Sequence, residues 1–277
     1  MADSRLEQVA DHVWWFTPDE RSDRPSLVAV LGERQTAVVD AGASAAHARA
    51  FLDALAPLEP APLRAVALTH WHWDHSFGAG AYDAPVVAQR ETAAEVARQA
   101  SLAWDETSLA ERVRTGAELE FCADMLHVEY PGLAGIEIAL PHEVFDAELT
   151  LELGGVTCRL VHVGGDHAAD SVVAHIPEDG VLVLGDCHYP RLYASREHYT
   201  PDGLRSVLVR LRGFTPVRHV IEGHGEEALD AVGFASQLAR LEGAIDRVEE
   251  LGEEAIGTAT SDDDRETLEL LLAGFQA

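Results

Sequence analysis

At 277 residues with a 47% apolar content, the chain has the size and composition of one large globular domain or two small ones. Its formal net charge of −28, with 20 arginines and no lysine, disfavours a nucleic-acid substrate, since phosphate neutralisation draws on clustered cations. No stretch nears the roughly 20 consecutive apolar residues of a membrane helix. The opening Met1-Ala2-Asp3-Ser4-Arg5-Leu6-Glu7 lacks the basic and apolar regions of a secretory signal, and Cys122, Cys158 and Cys187 are too scattered for a disulfide framework. A cytoplasmic protein acting on a small molecule is the expectation, with neither nucleic acid nor membrane as partner.

In chain order, Val13 to Phe16, Ser26 to Leu31 and Thr36 to Val39 read as three short strands. Ser44 to Leu55 is Ala-rich, with Leu52 and Leu55 at helical spacing, and reads as a helix. Ala65 to Leu68 is a buried strand that runs into His70-Trp71-His72-Trp73-Asp74-His75. Neutral imidazole and carboxylate are good ligands for zinc and other borderline divalent metals. In an extended segment, residues 70 and 72 point the same way and can grip one ion together. Asp74 and His75 follow a turn and can face a second ion.

Glu91 to about Glu120 is helix-like. Leu149 to Leu153, the turn Gly154-Gly155 and Val156 to Val163 form a hairpin pattern. Strands at Ser171 to Ile176 and Val181 to Leu184 follow, then a helix at Asp202 to Arg212, a strand at Val217 to Ile221 and a long acidic helix from Ala228 to Leu251. Strands dominate both halves with a helix at comparable points, which suggests two related α/β halves in one domain.

Three further ligand-type residues each follow a strand: His167 after Gly164-Gly165-Asp166, Asp186 after Gly185, and His224 between Gly223 and Gly225. Such glycines let backbone come close to a metal centre. Each alone is an ordinary turn, whereas all of them in this order, after the first cluster, point to a metal site.

The set His70-x-His72-x-Asp74-His75, Gly165-Asp166-His167, Gly185-Asp186 and Gly223-His224-Gly225 resembles the metallo-β-lactamase-fold hydrolases. Asp40 in Val38-Val39-Asp40-Ala41-Gly42 and Thr69 before the first histidine match as well, so the resemblance runs from about Val13 to Gly225. It implies an α/β (α+β) fold, a four-layer αββα sandwich of two mixed β-sheets flanked by helices, with metals in a groove at one edge. It implies that His70, His72 and His167 bind a first metal, that Asp74, His75 and His224 bind a second, and that Asp186 bridges them. Asp40 then orients a ligand by hydrogen bonding, its other reading being a turn cap. The expected cofactors are two divalent ions, Zn2+ ahead of Fe or Mn.

The activity implied is metal-dependent hydrolysis, in which a metal-bridging hydroxide attacks a small ester, lactone or thioester carbonyl. Asp74 would orient the hydroxide and pass a proton to the leaving group. Tyr189, three residues past Asp186, stands where the lactonase branch places a tyrosine that contacts the substrate carbonyl; it reads equally as a packing aromatic. The alternatives are a mononuclear iron redox enzyme of the sulfur dioxygenase kind, a β-lactamase or phosphodiesterase, and a non-catalytic metal-binding interaction protein. Trp71 and Trp73 are expected to pack away from the metals, Cys187 to be a small buried residue, and His188 to be an ordinary or rim residue. The whole chain, 1–277, reads as one domain with a helical cap insertion at about 90–140 that shapes the pocket. The helical segment at about 228–277 would pack against the sandwich or form a homodimer contact.

Overall fold

Residues 4–275 are described by the computed structural model. The first half builds a seven-stranded sheet in sequential order: β1 (Leu6–Gln8), β2 (Val13–Phe16), β3 (Leu27–Leu31), β4 (Thr36–Val39), β5 (Leu63–Ala67), β6 (Val86–Gln89) and β7 (Glu143–Phe145). The strands pair antiparallel from β1 to β4 and parallel from β4 to β7. Parallel pairing needs long crossovers. These carry α1 (Ala45–Leu55), the single turn α2 (Trp73–Ser76), and α3 (Arg90–Ala100), α4 (Glu106–Thr115) and α5 (Glu120–Glu129).

The second half builds a six-stranded sheet from β8 (Glu148–Glu152), β9 (Thr157–His162), β10 (Val172–Ile176), β11 (Val181–Gly185), β12 (His219–Glu222) and β13 (Leu229–Asp230), ordered β13-β12-β11-β10-β9-β8. Only β11 and β12 run parallel, joined through α6 (Pro201–Leu211). The chain closes with α7 (Ala231–Leu251) and α8 (Asp262–Phe275). Among the described residues, no helix is long and apolar enough to cross a membrane.

Strand alternation explains the layers. In β3, Val28 and Val30 face the core between the sheets, while Leu27 and Ala29 face Phe51 and Leu55 of α1. In β11, Val181 and Val183 join the inter-sheet core and Leu182 and Leu184 pack towards Leu204 and Leu208 of α6. Both faces are apolar because both are covered, which is why these strands read as continuous hydrophobic runs. Each such Val or Leu contributes about 1.5–3 kcal/mol on burial. Leu268 and Leu271 of α8 complete the layer formed by Leu238 and Leu241 of α7. The result is the four-layer αββα sandwich.

The helix-like stretch from 91 to 120 divides in two. Asp105 accepts a hydrogen bond from the Ser108 amide and so starts a new helix, and Gly116, at φ +74°, ends it. A third helix, α5, carries the helical stretch past Glu120, within the insertion at about 90–140. The short strands β1, β6 and β7 also escape a reading based on periodicity. The last long helix begins at Ala231 and not Ala228, because Leu229 and Asp230 pair with β12 before the Asp230 carboxylate caps α7.

Candidate metal centre

Seven ligand-type side chains converge at one edge of the sandwich, beyond the strand ends. His70, His72, Asp74 and His75 follow β5, His167 lies past β9, Asp186 follows β11, and His224 follows β12. The two sheets are tied together there: the Val172 amide donates to the Thr69 carbonyl (2.7 Å) and the Ser26 amide to the Gly223 carbonyl (2.6 Å). The chain turns sharply at His72, which precedes the first residue of α2, and the Ser76 hydroxyl donates to the His72 carbonyl at 2.9 Å. That one helical turn brings the His75 ring to 4.2 Å from that of His70 and places Asp74 and His75 beside His224 and Asp186.

Two groups result. Ligand atoms of His70, His72 and His167 lie within 4.8 Å of one another, and so do those of Asp74, His75, Asp186 and His224. Asp186, of the second group, also approaches the first. Its Oδ2 is 3.8 Å from His70 Nε2 and 3.3 Å from His167 Nε2 on one side, and 3.3 Å from His75 Nε2 and 3.5 Å from His224 Nε2 on the other. Asp74 Oδ2 is 3.1 Å from His75 Nε2 and 3.2 Å from His224 Nε2.

The far side of three of the rings is pinned. His75 Nδ1 donates to Asp40 Oδ2 at 2.8 Å, and His167 Nδ1 donates to the Pro190 carbonyl at 3.1 Å. Thr69 Oγ1 donates to Asp40 Oδ2 (3.0 Å), which leaves the hydroxyl oxygen to accept from His70 Nδ1 (3.0 Å). Asp40 thus orients two rings, and its role as a turn cap is secondary. The near sides have no such partners: Nε2 of His70, His72, His75 and His167 and Oδ1 of Asp186 are buried without a hydrogen bond. Orphaned buried polar atoms are rare and costly. Five that converge, all lone-pair donors, fit divalent cations.

Space at the centre is set by glycine. A Cβ on Gly223 would stand 1.8 Å from Asp186 Oδ1, and one on Gly185, at φ +53°, would stand 2.7 Å from Thr69 Oγ1. Any other residue at either position would push the Asp186 carboxylate or the Thr69 relay out of place.

Electrostatics divides the ligands. Burial, reinforced by neighbouring imidazoles, pushes His70 and His72 well below the usual range, so both keep their lone pairs free. Burial also opposes charge on His75, but the carboxylates of Asp74, Asp186 and Asp40 win and raise it well above the usual range. His224 behaves likewise and is pushed up to about 10, against burial, by Asp186 and Asp74. Burial raises Asp74 and Asp186 themselves, and the imidazoles of His75 and His224 outweigh it to hold both well below the carboxylate range. The two carboxylates therefore demand positive charge beside them, as protons or as metal.

A cavity of about 230 Å³ opens over the centre. Tyr189 lines it, its ring 6.0 Å from that of His167 and 6.4 Å from that of His224. Burial first, then Asp186 and Glu222, raises its phenol well above the usual value, so it stays a proton donor. Trp73 packs on Phe77 as expected, yet it also faces the cavity, while Trp71 stacks against His72. His188 is not at the rim: it is buried, 2.8 Å from Glu222, which also accepts from Gln237 at 2.7 Å. Cys187 is buried among α6 side chains, with burial raising its thiol.

Several lining residues carry no signal in the sequence. Asp23 comes from a polar loop and reaches 3.7 Å from His224; burial, with help from Asp74, pushes it up to about 7. Phe121 and Cys122 come from α5, and Leu192, Tyr193 and Glu197 from the loop after Asp186. The Tyr193 hydroxyl donates to Glu118 at 2.7 Å, which links that loop to the segment preceding α5. The only hint was the aromatic content of an irregular stretch directly after a ligand.

Fold and site together define a protein of the αββα sandwich class with side chains grouped to hold metal. Residues 21–251 match the family described as the metallo-beta-lactamase superfamily, and the chain belongs to it. A search of curated protein sequences returned no match. Among solved structures, the chain is similar to a metallo-beta-lactamase from Pontibacter korlensis, at 19% identity and TM-score 0.58, over 85% of this chain and 97% of that one. It is also similar to the stereoselective inverting sec-alkylsulfatase Pisa1 from Pseudomonas sp., at 16% identity and TM-score 0.69, over 99% of this chain but 50% of the sulfatase. DIM-1 metallo-β-lactamase aligns at 16% identity and TM-score 0.57, over 86% of this chain and 96% of that one. Identities this low speak for the fold alone.

Proposed function

We propose that this chain is a dinuclear metallohydrolase that cleaves a small ester, lactone or thioester. The observation that supports this best is Asp186, whose Oδ2 stands within 3.8 Å of imidazoles from both ligand groups and so suits a carboxylate shared by two ions. His70, His72 and His167 would hold one ion, and Asp74, His75 and His224 the other. Imidazole-rich donors with carboxylate suit zinc, with iron as the alternative. Two such ions supply Lewis acidity and lower the pKa of an attacking water towards about 7.

The remaining work falls to side chains. Asp74, one oxygen of which is shared between His75 and His224, would orient the attacking water and carry a proton to the leaving group. Tyr189, kept protonated and facing the cavity, would donate a hydrogen bond to the carbonyl oxygen as negative charge develops on it. Asp40 would hold His75 and His70 in the tautomers that leave Nε2 free.

Metal analysis of protein purified without added metal, followed by a substrate panel, tests the reading. About two zinc ions per chain with turnover of an ester, lactone or thioester is the expected result. About one iron per chain would replace hydrolysis by a redox reading. A two-metal protein inert towards esters, lactones, thioesters, β-lactams, alkyl sulfates and phosphodiesters would sink the proposal.

A further inference from the structure

The charge of the pocket wall has a direct bearing on substrate choice. Around the ligands, the cavity is lined by Trp73, Phe121, Leu192 and Tyr193 and by two carboxyl groups, Asp23 beside His224 and Glu197. Among the described residues, no arginine lines it, and the chain has no lysine. Cations stand close by in sequence but are not among the lining residues. Arg191, in the same loop as Leu192, lies 3.8 Å from Asp166, and Arg196 faces a separate groove with Glu253 and Glu269. Glu118, under the wall, is occupied by the Tyr193 hydroxyl.

We infer that this pocket selects acyl substrates whose group remote from the scissile bond is apolar and neutral or cationic, and rejects those that carry a remote anion. The inference rests on the hydrolase reading only in placing the reacting carbonyl at the metals. A remote carboxylate, sulfate or phosphate would meet an apolar surface without a guanidinium to replace its water, and it would meet the carboxylates of Asp23 and Glu197. Desolvation and like-charge repulsion then act in the same direction. An ammonium group would gain from the same two carboxylates. An apolar tail gains from each buried methylene, by about 0.8 kcal/mol or roughly fourfold in affinity.

Binding separates this inference from the activity. Hydroxamic acids that share one metal-binding head and a six-carbon chain, ending in methyl, trimethylammonium or carboxylate, are titrated calorimetrically into the zinc-loaded protein. Acetohydroxamic acid serves as the short reference. The methyl and trimethylammonium tails should bind on the order of tenfold more tightly than the carboxylate tail, and the methyl tail should exceed acetohydroxamic acid by roughly fourfold for each methylene the pocket buries. Glu197→Gln should narrow the gap between carboxylate and methyl tails several-fold at unchanged metal content. Equal affinity for the three tails, no binding by any of them, or a gap untouched by Glu197→Gln overturns the inference. Tail discrimination without hydrolysis of any substrate would sink the hydrolase reading and keep the pocket. Hydrolysis with equal tail affinities would do the reverse.

Discussion

Two buried charge clusters in this molecule are built on opposite plans. At the C-terminal end, Arg247 and Asp264 form an ion pair in which Arg247 Nη1 donates to Asp264 Oδ2 at 3.0 Å and Nη2 to Oδ1; the Thr260 amide and hydroxyl add bonds of 2.9 and 3.1 Å. Both carboxylate oxygens are filled by groups of the chain itself. At the metal centre, by contrast, only the outer side of each cluster is filled, and four imidazole nitrogens and one carboxylate oxygen face inward with no hydrogen-bond partner. A cluster complete in itself holds α7 to α8. A cluster completed only by added cations is a binding site. Burial is common to both, so satisfaction is what separates structure from function here.

The largest expected effect comes from removing the group that joins the two metal sites. Asp186→Ala should lose both ions and lower turnover on the order of a thousandfold or more. Metal analysis alongside kinetics checks it. An Asp186→Ala protein that retains two ions and its activity would remove the bridge, and with it the contrast between the two clusters.

The next effect tests the outer support. Asp40→Asn keeps the size of the side chain but weakens the acceptor for His75 and disturbs the Thr69 relay to His70. Loss of such an orienting partner typically costs 10–100-fold in metal affinity. Competition with a chromophoric chelator would measure it. The same titration followed by thermal unfolding should show wild-type protein melting lower once chelated, since ligand at about 100 times its Kd stabilises by roughly 2.7 kcal/mol.

How far each part was legible in the sequence follows from where its parts come from. His70 to His75 is one contiguous motif, and His167, Asp186 and His224 each follow an apolar strand beside glycine, so local pattern alone brings the seven together. The sheets were legible for a related reason: β3 and β11 are buried on both faces and read as unbroken apolar runs. The pocket wall was legible only as a region, the insertion at about 90–140 expected to shape it, and not residue by residue. Asp23, Phe121, Leu192 and Glu197 come from three segments remote in sequence, and what makes them lining residues is the packing of α5 and one loop against the centre. Nothing in a residue's neighbours encodes that. Asp264 was equally silent, one of three successive aspartates at 262–264, distinguished only by Arg247 from another helix.

Tyr189→Phe sharpens the comparison within the active region itself. Tyr189 faces the cavity but belongs to neither ligand group, so the variant should retain both ions and lose about 10–100-fold in kcat, the order expected for one donor to a developing oxyanion. Full turnover with metals retained would leave Tyr189 as wall and nothing more.

The smallest effect on activity belongs to the filled cluster. Asp264→Asn should leave metal content and turnover unchanged while lowering unfolding stability by about 1–2 kcal/mol at neutral pH, through the bonds it weakens. The pH dependence fixes the cause. Hydrogen bonds from Arg247, opposed by burial and aided by the Thr260 amide, hold the Asp264 carboxyl below the usual range. A group depressed in the folded state stabilises fully above its unfolded value, about 3.9, and loses that contribution as pH falls through the folded value. Thermal unfolding should therefore show a constant gap between wild type and Asp264→Asn from about pH 8 to about pH 5, closing progressively below about pH 4. A gap that persists unchanged into acid would mean that shape, and not the ionised carboxylate, holds the two helices together.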